Sequence, residues 1–293
     1  MGKRRHSGAK RRFPVVNGIF YPDSPEALTD KLASWGLKES SNTLSFGGQA
    51  IIAPHGAWEI SGTIAGAAFA STQKRKNRTE YPVNESPQGI NRVILLGPCH
   101  GFGEEGIYLS ESVSFQTPLG NMPVDQELNR KLASCSTLIT INDIPHLSEH
   151  SLEVLLPIVK YCLSEVMIIP ILMEGKRPAL ISGLAKALRM TLENYMEESL
   201  IVISSNVSRN LDPVLALSMA DEFGDLLENM DTGAFFAGLA KGRISACGRA
   251  LVGALLESGL LHGKRFSTLC PLVQGRGEEG ETVYYGAFGC SAR

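Results

Sequence analysis

AIIAPHGAW (residues 50–58) and RVILLGPCHG (residues 92–101) share one grammar: an apolar run stops at a proline, and a histidine followed by glycine comes next. EVMIIPI (165–171) and LIVISS (200–205) repeat the apolar run without the histidine. Short, β-branched runs that end in Gly, Pro or Ser read as strands buried on both faces. Between them lie GTIAGAAFAS (62–71), VDQELNRKLAS (124–134), SLEVLLPIVKYCL (151–163) and PALISGLAKALRMTLENYM (178–196), whose apolar residues recur at helical spacing. Pro178 suits a helix start, and Pro157 predicts a kink or an early stop. Strand–helix alternation predicts an α/β fold with a central, mostly parallel or mixed sheet flanked by helices on both faces. Segments 266–274 and 282–289 read as antiparallel or edge strands.

Outward from these elements the chain is less regular. STQKRKNRTEYPVNESPQG (71–89) is polar and Pro/Gly-bearing and reads as a long exposed loop rather than a domain boundary. The first twelve residues carry Lys3, Arg4, Arg5, Lys10, Arg11 and Arg12 without an apolar stretch behind them, so they read as a disordered basic leader rather than a secretory signal. Residues 13–293 then form a single domain. Setting those six basic groups aside leaves 22 against 30 acids, a body of about −8 within a chain whose formal charge is −2. This argues against nucleic-acid binding by the folded body. No apolar run reaches membrane-spanning length. Six cysteines without a CxxC pair read as reduced thiols in a cytoplasmic protein.

In an open α/β sheet the working crevice lies beyond the carboxyl ends of the strands. His55 and His100 each follow such an end, and neutral imidazole is a common ligand for Fe, Cu and Zn. A single such histidine is more simply a loop residue bonded to backbone, but the repeated context raises a shared metal ion to an equal reading. Cys247, in ISACGRALVGALL (244–256), stands just before a helix, where the partial positive charge lowers a thiol's pKa. It is a third ligand or a buried cap residue, and Cys99 is a rival thiolate. HLSEHSLEVLLP (146–157) offers His146, Glu149, His150 and Glu153. It is not a His-Glu-x-x-His helix. Ser148 or Ser151 is expected to cap a helix with Glu149 and His150 at its mouth, which makes these two the candidates for acid–base work. VISSNVSRN (202–210) places Ser204, Ser205, Asn206 and Arg209 at the same crevice, or in a simple polar turn. Nucleotide-binding and serine-hydrolase motifs are missing.

Taken in order, IIAPHGAWEISGTIA, RVILLGPCHG, TPLGNMPVD, SEHSLEVLLP, IIPILMEG, VISSNVSRN and ACGRALVGALL resemble the Memo family, also called AmmeMemoRadiSam system protein B. The resemblance runs from about Phe20 to the carboxyl terminus. It implies a class III extradiol dioxygenase-like fold and an iron or copper site, with zinc as a third option, held by His55, His100 and Cys247. It also implies a radical-SAM system protein as a partner. The family commonly carries a histidine where this chain has Arg209, and that histidine resembles the base of the ring-cleaving dioxygenases. Arginine stays protonated, so ordinary ring cleavage is disfavoured. Asn17 replaces another family histidine, and Cys99 stands where Ser is usual. Pocket-lining residues are therefore expected at Asn17, Cys99, Ser205, Asn206 and Arg209, and Arg209 favours a small anionic ligand beside the metal. Three functions compete: a redox-related metal protein, a metal-dependent oxygenase acting on a small molecule, and a non-catalytic module that takes a peptide or partner in the same cleft.

Overall fold

The four apolar runs become four neighbouring parallel strands in the computed structural model, which describes residues 10–37, 45–46, 49–74, 89–277 and 279–292. The strands of the central sheet are β1 (Ala50–Ala53), β2 (Arg92–Pro98), β3 (Gly106–Leu109), β4 (Ile139–Ile141), β5 (Met167–Glu174), β6 (Ser199–Ser204), β7 (Lys264–Thr268) and β8 (Phe288–Ala292). Across the sheet they run β7-β8-β1-β6-β2-β5-β3-β4. The middle four, β1-β6-β2-β5, are parallel, whereas β8 against β1, β7 against β8 and β3 against β5 are antiparallel. The sheet is therefore mixed, as expected. The two carboxyl-terminal segments each divide: 264–268 and 288–292 close one edge of the central sheet, while Val273–Arg276 and Thr282–Tyr285 join Ser208–Asn210 in a separate small sheet. Pro271, which has no N–H to give a ladder, lies between the two halves of the first segment.

Because successive residues of a strand face opposite ways, each buried strand feeds two cores. Ile52, Ile94, Leu96, Ile169, Ile171, Ile201 and Ile203 pack on one side with α3 (Gln126–Ser134), α6 (Pro178–Leu192), α7 (Pro213–Asn229), α8 (Thr232–Ala240) and α9 (Arg249–Ser258). Ile51, Val93, Leu95, Ile168, Leu200 and Val202 pack on the other with α1 (Pro25–Ser34), α2 (Trp58–Thr72) and α5 (Leu156–Cys162). Helices thus cover both faces, and only the strand ends are left for chemistry. Among the described residues no helix is long and apolar enough to cross a membrane.

Three local expectations change. Pro157 neither kinks nor stops a helix; it sits in the first turn of α5, where its missing N–H costs nothing. Ser71 and Thr72 of the expected loop belong to α2, and Gln73–Lys74 pair with Ser45–Phe46; residues 75–88 lie outside the described residues. The last residues of the expected leader belong to the fold. Arg11–Arg12 pair in parallel with Ser114–Phe115, and the Arg12 side chain is buried because Glu153, an equally buried carboxylate, meets it. Residues 1–9 lie outside the described residues.

Candidate metal centre

Strand order brings the two histidines together. β6 lies between β1 and β2, so His55 and His100, each two residues past the end of its strand, stand on either side of the end of β6 with ring centroids 5.1 Å apart. The last residue of β6, Ser204, holds the first ring. Its Oγ donates to the Ser151 carbonyl at 2.6 Å and so must accept from His55 Nδ1, 2.7 Å away. A hydroxyl has one proton to give, so this pair of bonds leaves the His55 Nε2 lone pair free. Nε2 faces the Cys247 Sγ at 3.4 Å.

Glu149 does the same for His100. Its Oε1 accepts from His100 Nδ1 at 3.0 Å and from the Ser151 N–H at 2.8 Å, and its Oε2 accepts from the His100 N–H at 2.6 Å. The carboxylate thus draws the His100 proton to Nδ1 and turns Nε2 inward.

Cys247 arrives from the opposite helical layer, one residue before the N-cap of α9. The Asn206 N–H donates to its Sγ at 2.9 Å, and Asn206 Oδ1 accepts from the His55 N–H at 3.2 Å. Ser205 Oγ accepts from the Gly248 N–H at 2.9 Å and lies 3.7 Å from the thiol. Gly248 is required here by close approach: a Cβ would come within 2.7 Å of the Ser205 Cβ and 3.0 Å of the Ser204 carbonyl. Ser205 and Asn206 therefore touch the cysteine directly.

The charges follow this geometry. Burial opposes ionisation of Cys247, but the neighbouring imidazoles of His55 and His100 outweigh it and hold the thiol well below its usual range. Burial likewise opposes charge on His100, yet the bonds to Cys247 and Glu149 raise it to about 10. Glu149 is held down at about 2, against burial, by His100. The chain Cys247–His100–Glu149 is thus an alternation of negative, positive and negative groups. Cys99 is different: burial and then Glu149 push its thiol up to about 12, and its backbone N–H is spent on the Met173 carbonyl.

His150 joins the cluster. Its ring stacks on His100 at 5.1 Å and 20°, and stands edge-on to His55 at 5.6 Å. One ligand nitrogen from each of His55, His100 and His150 lies within 4.8 Å of the others. Burial, then the charge of His55, lowers the pKa of His150 to about 4. His146, four residues earlier, turns the other way: α4 (Ile144–Ser148) ends before His150, and His146 is buried against Phe115 with Nε2 3.1 Å from the Tyr108 carbonyl. Neither expected serine cap forms, since Ser151 Oγ donates to the Pro98 carbonyl instead. Asn17 makes a backbone bridge with Tyr21, and it is Phe20 of the same turn that reaches the pocket, edge-on to His150 at 5.1 Å. Arg209 lies near Cys247, half exposed, with its guanidinium paired to Glu281 and its N–H donated to Ser245 Oγ at 3.1 Å.

Residues 12–274 match the family model for Memo-like proteins. The chain belongs to the Memo family. Memo-family relatives at similar length include a MEMO1 family protein of Desulfurococcus amylolyticus, 29% identical over 85% of this chain and 87% of that protein. Others come from Methanobrevibacter smithii, 28% identical over 88% of this chain and 90% of that one, and Metallosphaera sedula, 25% identical over 87% and 90%. A solved structure of an uncharacterized Escherichia coli protein is similar at TM-score 0.48 and 12% identity, covering 82% of this chain and 99% of that one. Phe20 is the member of this Memo centre whose contact the sequence did not announce, whereas Ser204 was expected at the crevice without its bond to His55. The only signal for Ser204 was its place at the end of an apolar run beside two others that carry histidine.

Proposed function

We propose that this Memo-family chain holds an iron or copper ion, with zinc as the alternative occupant, at His55, His100 and Cys247, and that the ion serves a redox-related role. The supporting observation is convergence: two imidazoles whose second nitrogens are held by Ser204 and Glu149 and a thiol favoured as thiolate meet at the open end of the sheet, where a metal ion would take the place of the His100 proton. Imidazole and thiolate donors suit copper, iron and zinc and do not suit magnesium or calcium. When bound, iron or copper would supply electron-transfer chemistry. The chain's own groups hold and orient the donors: Ser204 and Glu149 set the tautomers of His55 and His100, and the Asn206 N–H steadies the sulfur.

Glu149 is assigned to positioning rather than proton transfer, because its two oxygens already accept three bonds. A small anionic ligand at the rim would have to compete with Glu281 for Arg209.

Elemental analysis of protein purified without oxygen tests this reading. Wild type is expected to carry near one equivalent of transition metal, and Cys247→Ser much less. Equal metal in the two proteins would remove Cys247 from the donor set.

A further inference from the structure

We infer that His150 is a fourth protein donor, so that an ion at His55, His100 and Cys247 is closed in by a third imidazole. This inference rests on the metal-centre reading above and extends it from three donors to four. It is carried by placement: the ligand nitrogens of His55, His100 and His150 lie within 4.8 Å of one another. Donors that share an ion bound at about 2.0–2.3 Å must approach one another to a few ångströms. Lone pairs so close repel unless a proton or a cation stands between them.

The surroundings of His150 leave its Nε2 available to an ion. A metal-bound imidazole is oriented by a carboxylate or carbonyl near its second nitrogen. Glu149 Oε1 lies 3.5 Å from His150 Nδ1, a position it shares with bonds from His100 and Ser151. That carboxylate still biases the ring proton toward Nδ1 and leaves Nε2 with its lone pair. The ring is held by contacts: Phe20 stands edge-on at 5.1 Å on one side and His100 stacks at 5.1 Å on the other.

The backbone explains how His150 gets there. Glu149 is extended (φ −78°, ψ 128°) directly after α4, which throws His150 off the helix axis. Arg12 grips the same turn by donating to the His146 and Glu149 carbonyls at 3.0 and 2.8 Å. Closed four-donor sites retain their ion, whereas sites with three donors keep a position for water or substrate. An incoming ligand would therefore have to displace a donor, and His150, whose Nδ1 has only a 3.5 Å contact to Glu149, is held less firmly than His100.

X-ray absorption on the full chain loaded with zinc tests this, with the zinc dissociation constant measured alongside. Wild type is expected to show one sulfur and three imidazoles. His150→Gln is expected to show one sulfur and two imidazoles and to bind zinc about tenfold more weakly or worse. His150→Ala provides a second variant that cannot substitute an amide donor, and its melting curve reports whether the fold survives. Two imidazoles, one sulfur and an oxygen in wild type, unchanged in both variants, would overturn the four-donor set while leaving the centre itself in place. No zinc taken up by wild type would instead remove the centre, and this inference with it.

Discussion

Two polar clusters lie only a few residues apart along the 146–153 turn, and they resolve the burial of charge in opposite ways. In the first, Arg12 and Glu153 pair with side chains 2% and 1% exposed. Arg12 also donates to two carbonyls, and Glu153 accepts from the Val15 and Val16 N–H groups and from the Tyr21 hydroxyl, each at 2.9 Å. Donors and acceptors match there, so the cluster is closed and structural. In the second, His55, His100 and His150 turn ligand nitrogens toward one another, and the Cys247 sulfur meets His55 Nε2 at 3.4 Å. Their outer nitrogens are served by Ser204 and Glu149, while the inner atoms keep capacity for a cation. The lesson is that burial alone does not mark a functional site. Metal-ligand atoms from distant segments facing one another do.

The largest effect that would break this contrast lies in the closed cluster. Glu153→Ala leaves Arg12 buried without its partner, and chemical denaturation is expected to show a loss of about 3–5 kcal/mol. The double variant Arg12→Met/Glu153→Met should recover much of that loss, as apolar replacements of a buried pair often do. A single variant as stable as wild type would mean the pair is dispensable.

Next in size is a pH effect on the same turn. Burial lowers the pKa of His146 from 6.5 to about 4. The unfolded chain therefore binds the extra proton between those values. Stability from this group is complete above pH 6.5 and falls as the pH drops toward 4, by up to about 3 kcal/mol. Denaturation at several pH values should show that slope in wild type and a flatter one in His146→Gln; equal slopes would assign the effect elsewhere. Glu149, held at about 2, adds a separate loss only below its ordinary value of 4.5.

The smallest effect sharpens the open cluster. Glu149→Gln keeps the shape but weakens the hold on His100 Nδ1, and copper or zinc affinity is expected to fall about 10–100-fold. Unchanged affinity would show that His100 is oriented by packing alone.

The contrast also explains what could be read along the chain. The four central strands were legible because strands buried on both faces need continuous apolar runs, and His55 and His100 were legible because each directly follows one. Cys247 announced itself through the helix that begins two residues later. Arg12 did not, since a charged run has no period and its counter-charge lies 141 residues away. Helices α1, α7 and α8 were missed as elements, although the polar turn that precedes α7 was seen. Pro157 was misjudged because proline at a first helical turn and proline inside a helix look alike until the helix boundary is known.

Sequence alone determined the alternation of strands and helices, the parallel middle of the sheet and the two histidines at its end, because these depend on local hydrophobic pattern and backbone chemistry. Tertiary structure alone decided that β6 stands between β1 and β2, that His150 turns into the pocket while His146 turns away, and that Arg12 is buried. Those outcomes depend on groups distant in the chain satisfying one another's hydrogen bonds and charge, and no local pattern records which pairs will meet.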